Sequence, residues 1–95
     1  MTNKHKYQQY IPIQIKLAKQ LRIKFISITI SPVKAKKYRI TLKDGSRIDY
    51  GAVGMSDYLI HRDKDRRKRF HDRFKNNKGY NNPYSGLFYS ARLLW

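Results

Sequence analysis

The side chains able to do chemistry are concentrated in one run of this chain. Arg62, Lys64, Arg66, Arg67, Lys68, Arg69, Arg73, Lys75 and Lys78 stand close together, and only Asp63, Asp65 and Asp72 accompany them. Guanidinium forks match phosphate or carboxylate oxygens in pairs, a geometry that an ammonium group cannot offer. With Phe70 and Phe74 turned inward, four residues apart on a helix, Arg66, Arg69 and Arg73 project from one neighbouring flank. The run is read as a polyanion- or partner-binding surface. Catalysis has weaker support. Asp63 and Asp65 do not face one another on a helix and read as an N-cap and a first-turn partner of the helix dipole. His61 and His71 have no Cys or Glu to complete a metal set. Ser56, Asp57 and His61 hold the letters of a hydrolytic triad without its nucleophile elbow. Gly45, Gly51 and Gly54 fit no phosphate-loop spacing. The expectation is a protein with no catalytic residue, no metal and no cofactor.

The charge balance points the same way. The 95 residues include 22 Lys plus Arg and only six acids, all Asp, for a formal net charge of +16. Without Glu, the usual helical partner of Lys and Arg one turn away is missing. A domain this basic repels itself and binds polyanions. Nucleic acid, an anionic membrane surface or acidic protein neighbours are the partners it suits. The absence of cysteine removes disulfides and thiolate sites and fits a reducing compartment or a supporting assembly. No long apolar run predicts a membrane span, and the first residues lack the apolar region of a secretory signal. A soluble protein made in the cytosol is expected. Tyrosine is the other excess, at eight residues. Such rings stack on unpaired bases, anchor protein interfaces or fill a core.

These side chains need a scaffold. The pattern predicts a single small α+β domain over residues 13–95, preceded by a basic, extended arm over residues 1–12. Pro12 is expected to push Ile11 into an extended conformation. Residues 13–21 fit both strand and helix periods, with a short helix preferred and Lys16, Lys19, Gln20 and Arg22 on its wet side. Ile26, Ile28 and Ile30 alternate with Ser27 and Thr29, a β-branched strand. Tyr38, Ile40 and Leu42 alternate with Lys37, Arg39, Thr41 and Lys43. Asp44-Gly45 signals a hairpin, and Arg47 to Tyr50 returns as a third strand. The expected sheet is a three-stranded antiparallel meander. Gly51 and Gly54 mark positive φ or tight turns. A basic helix capped by Asp63 then runs to about Lys75. After Pro83, at a first helical position, a short aromatic helix places Leu87, Phe88, Ala91, Leu94 and Trp95 on one face. Tyr80, Tyr84, Phe88, Tyr89, Leu94 and Trp95 are the candidate anchors for a partner.

The stretch KKYRITLKDGSRIDYGAVGMSDYLIHRDKDRRKRFHDRF resembles a family of small basic proteins of unassigned function encoded by nucleocytoplasmic large DNA viruses. The resemblance rests on three blocks: Tyr38–Gly51, Gly54–Phe74 and Gly86–Trp95. Leu59 stands where Thr is common in that pattern, Phe70 where Tyr is, and residues 1–35 have no counterpart. The resemblance implies a non-enzymatic virion structural protein, a minor capsid or cement component made in the host cytoplasm. Viral capsid proteins would then be its partners within a larger assembly. The alternative is a sequence-nonspecific protein that coats or condenses packaged DNA or RNA. Charge favours nucleic acid, whereas the apolar end, the tyrosine excess and the small core favour assembly and rank it first.

Overall fold

The Asp44-Gly45 signal closes the hairpin on which the rest is built. The structure, a computed structural model, describes residues 4–95. Strands β1 (Phe25–Ile30), β2 (Lys36–Leu42) and β3 (Arg47–Ala52) form an antiparallel sheet in the order β1-β2-β3, the expected meander. Gly45 N–H donates to the Leu42 carbonyl and Leu42 N–H to the Ser46 carbonyl, with Gly45 at φ +91°. This is a three-residue loop whose last position needs the left-handed backbone that glycine adopts freely. It sets Tyr38 opposite Tyr50 and Ile40 opposite Ile48, so all four side chains enter the core.

In β1 simple alternation fails at one residue. Phe25 pairs with Leu42 but Ser27 with Thr41, so Ile26 is an extra residue in a bulge. Ile26 is consequently 65% exposed, and Phe25 packs with Ile28 and Ile30 against the core instead. The three isoleucines do not share one face.

The extended arm is also corrected. Residues 1–3 of it lie outside the described residues. His5–Tyr10 form a 3-10 helix that runs directly into α1 (Ile11–Gln20), and Ile11 is helical at φ −67°, ψ −45°. Pro12 sits in the first turn, where its missing N–H costs nothing. Tertiary packing overrides the local preference: Tyr7 is buried with its ring 6.1 Å from that of Tyr38, and its carbonyl accepts from Tyr38 Oη at 3.1 Å. The preferred helical reading of residues 13–21 holds, with Lys16, Lys19, Gln20 and Arg22 exposed. Arg22, at φ +58°, ends α1 with its N–H on the Lys19 carbonyl and that of Ile23 on the Ala18 carbonyl.

Tyr7, Tyr38, Tyr50 and Tyr89 form a continuous buried row, each ring within 6.1 Å of the next. The Tyr50 hydroxyl donates to Gln14 Oε1 at 2.7 Å, and the Gln14 amide donates to the Tyr10 carbonyl, so α1's one buried amide is satisfied. Closing the core are α2 (Tyr58–His61) and α4 (Gly86–Tyr89) with a π-helical continuation over Ser90–Leu94, while α3 (Lys64–Phe74) places no side chain in it. Pro83 lies in the turn before α4, and Ser85 caps the helix by accepting from Leu87 N–H. The wider i→i+5 winding, closed by Trp95 N–H on the Ser90 carbonyl, turns Leu93 inward together with Ala91 and Leu94. Leu87, Phe88 and Trp95 are left half-buried.

Candidate polyanion interface

Local chemistry shapes the basic helix as its sequence suggests. Asp63 Oδ1 accepts from Asp65 and Arg66 N–H groups at 3.0 and 3.2 Å, which fixes the start of α3. The Arg66 N–H, the larger influence, and that of Asp65 hold the Asp63 carboxyl below its usual range. Before the cap, Arg62 at φ +56° turns the chain out of α2, and Asp63 N–H donates to His61 Nδ1 at 2.9 Å. Lysine and arginine cannot be buried cheaply, and no residue of α3 is fully buried. The helix is instead clamped at a few points. Phe70 and the Trp95 indole stack at 4.5 Å with 4° between planes, Arg67 Nε donates to the Trp95 carbonyl at 2.7 Å, and the His61 ring lies 5.1 Å from Trp95. His71 Nδ1 meets Tyr80 Oη at 2.8 Å.

The nine basic residues of the run fall into different roles. Arg62 and Arg67 lie over the Tyr58 ring, at 5.6 and 4.8 Å, and fasten the helix to the body. Lys68 and Lys75 share Asp72 at 2.7 and 3.7 Å, and the Lys68 hydrogen bond holds the Asp72 carboxyl low. Lys64 and Lys78 are exposed beyond the two ends of the flank. Arg66, Arg69 and Arg73 are exposed, form no ion pair among the described residues, and line one wall of a cleft of about 980 Å³. The predicted flank is therefore a single feature of the structure.

The cleft runs between α3, the end of β3 and the start of α4. Phe70, Phe74, Leu87, Leu94 and Trp95 supply apolar lining, while Lys36 and Lys37 enter from β2. Lys37 corrects the strand reading, which put it on the solvent side. It is 1% exposed, its Nζ lies 2.8 Å from Asp57 Oδ2, and it donates to the Met55 carbonyl at 2.6 Å. Asp57 Oδ1 is buried with no partner among the described residues. This pair carries no net charge, so the cleft's positive character comes from its rim. The Arg39–Asp49 pair, at 2.9 Å, is likewise closed on itself, and Arg39 holds the Asp49 carboxyl low. Two glycines shape the walls. A Cβ on Gly51, at φ +79°, would meet Leu94 Cδ1 at 2.9 Å, and one on Gly86 would meet the Asp49 carbonyl oxygen at 2.7 Å.

Two of the six predicted anchors are redirected inward. Tyr89 and Leu94 are buried in the chain's own core, which corrects their assignment as contacts for another molecule. Their apolar surface is already removed from water by the sheet and α1. Tyr80 is half-buried, tied to His71 and, through its carbonyl, to Arg92 Nη1. Phe88 lies under the Arg92 guanidinium at 3.8 Å, and Trp95 is the clamp described above. Tyr84 alone among them is exposed, at 59%, with its hydroxyl on Asp44 Oδ2. Among the described residues no group of three His, Cys, Asp or Glu could hold a metal, and no helix is long and apolar enough to cross a membrane.

Residues 26–74 match a family of unknown function, DUF5754. The chain belongs to that family. The matched segment runs from β1 to the last residue of α3, so it holds the sheet, the buried Lys37–Asp57 pair and the arginine flank, but not the tail that clamps α3. No curated protein and no solved structure matches the chain. Sequence reasoning missed Lys36, Lys37, Asp57 and Gly86 as parts of the cleft. The one available signal was Asp57, a carboxylate directly before the apolar Tyr58-Leu59-Ile60. Gly86 has no comparable local signature.

Proposed function

We propose that this chain is a non-enzymatic, sequence-nonspecific nucleic-acid-binding protein that grips phosphates with Arg66, Arg69 and Arg73. The observation that carries the reading is their common position on one wall of the cleft, exposed and without a carboxylate partner among the described residues. The features that ranked assembly above nucleic acid lose weight, because most of the tyrosine excess and the Leu93-Leu94-Trp95 end are used inside the chain. The charge is not.

The test is binding of the full chain to random-sequence DNA across a salt series. If about five phosphates are neutralised, log affinity falls against log salt with a slope near −4 to −5. Replacing Arg66, Arg69 and Arg73 together by Ala leaves the fold intact, abolishes binding at physiological salt, and flattens any slope left at low salt by about 3. Retained binding with an unchanged slope removes these residues from the site.

A second reading seats the same basic face against acidic neighbours in the shell of a large DNA virus, as a minor capsid or cement component. In its favour, Ile26 and Met55 are each 65% exposed and Ile60 is 40% exposed, apolar surface that a phosphate backbone does not use. DNA binding that vanishes by physiological salt supports this second reading.

A further inference from the structure

A rim that binds only phosphates needs no apolar recess behind it. Here Phe70, Phe74 and Trp95 line the same cleft as the three arginines, all three rings are incompletely buried, and Phe74 touches only Phe70 and Arg73 among described ring contacts. Leu87 and Leu94 extend the apolar lining, and the cleft's volume of about 980 Å³ is at the upper end of what small-molecule sites use. Lys36 adds a cation on the opposite side. The two carboxylates that line the cleft, Asp49 and Asp57, are committed to Arg39 and Lys37 and repel no incoming anion strongly.

We infer that this cleft selects single-stranded over double-stranded nucleic acid, an unpaired base entering the aromatic recess while the arginine rim holds the flanking phosphates. The inference rests on the phosphate-binding reading of the rim. In a duplex the bases are stacked on one another, so the rim can be satisfied but the recess stays empty. In a single strand both are filled at once, and base–aromatic stacking tolerates any sequence because every base has a π face. A run of Asp or Glu side chains matches the rim but offers no flat apolar group to the recess.

Trp95 is the only tryptophan in the chain, so its fluorescence reports on the recess directly. The full chain is titrated with an oligothymidylate, with a duplex of equal length and with poly-glutamate, at one fixed salt concentration. The expected result is binding to the single strand about tenfold tighter than to the duplex, with Trp95 emission quenched by the single strand alone. Phe74→Leu keeps apolar volume but removes the π face. It is expected to weaken single-strand binding about tenfold and change duplex binding by less than about twofold. Equal affinities without selective quenching overturn the inference but leave phosphate binding standing. So does a Phe74→Leu variant that weakens both ligands alike. The quenching readout on the unaltered chain decides the matter should that variant not fold. Failure to bind either nucleic acid overturns the proposed function itself, and poly-glutamate binding as tightly as the single strand transfers the cleft to an acidic protein.

Discussion

The sheet body and helix α3 are held by opposite strategies. In the body, Tyr38, Ile40 and Tyr50 are at most 1% exposed, and a row of four tyrosines ties the N-terminal helices, the sheet and α4 together. Helix α3 has six basic and two acidic side chains among eleven residues and buries none of them fully. Burying such charge without partners is too costly, so the helix cannot lay a whole face on the core. It is pinned instead by one indole stack, by guanidinium groups lying over the Tyr58 ring, and by a carbonyl contact. Flat rings and guanidinium planes make contact while the charged edges stay in water. A charged surface is thereby fixed in place at little desolvation cost.

If this contrast is correct, damage to the two regions has different reach. Tyr50→Ala removes two ring contacts of the buried row and leaves Gln14 Oε1 without its donor. The expected loss is about 3–5 kcal/mol of global stability, a large part of what a domain of this size possesses. Urea unfolding followed by circular dichroism measures it, and sheet and helix signals should be lost together. Trp95→Ala takes away the stack on Phe70 and is expected to cost less, on the order of 2 kcal/mol, and to cost it locally. Amide hydrogen exchange should show α3 losing protection while β2 and β3 keep theirs. Uniform loss of protection would mean that α3 is part of the core after all.

The smallest expected effect is a pH dependence of the clamp. Burial, and after it the charge of Arg66, holds the His61 imidazole below its ordinary value, and Nε2 is buried without a partner among the described residues. Nδ1 must stay unprotonated to accept the Asp63 N–H. The unfolded or released state therefore takes up the proton first. The stabilisation is complete above about pH 6.5, the ordinary histidine range, and is lost as pH falls toward the lowered folded value. Trp95 emission followed from about pH 7.5 down to about pH 5 should shift as α3 loosens, and His61→Gln should abolish that shift. A shift that survives the substitution would assign the titration to another group.

Much of this is legible in the sequence because it depends on neighbours along the chain. The hairpin at Asp44-Gly45, the positive φ of Gly51 and Gly54, the Asp63 cap and the meeting of Phe70 with Phe74 one turn apart are all local or nearly so. So is the grouping of Arg66, Arg69 and Arg73, which helical spacing alone brings together. The failures share a cause. Local preference makes the N-terminal segment extended, because Pro12 and the polar residues around it carry no sign that Tyr7 docks on Tyr38 across thirty-one positions. Alternation alone puts Ile26 in the core, because a bulge is a relation between two strands, not a property of one. Alternation likewise puts Lys37 in solvent, because its partner Asp57 lies twenty residues away.

The sequence by itself determined the composition of this protein's surface: an excess of cation that six aspartates cannot neutralise, collected on a helix whose spacing lines up three arginines. Only the tertiary structure decided what faces them. It folded four of the eight tyrosines and most of the apolar tail into the body. It neutralised Lys37 with Asp57 and set Phe70, Phe74 and Trp95 behind the arginine rim as the lining of one cleft. The division follows from range. Charge and helical phase are fixed along the chain, but whether an aromatic ring ends as core, clamp or exposed floor depends on which distant segment reaches it first and excludes the water.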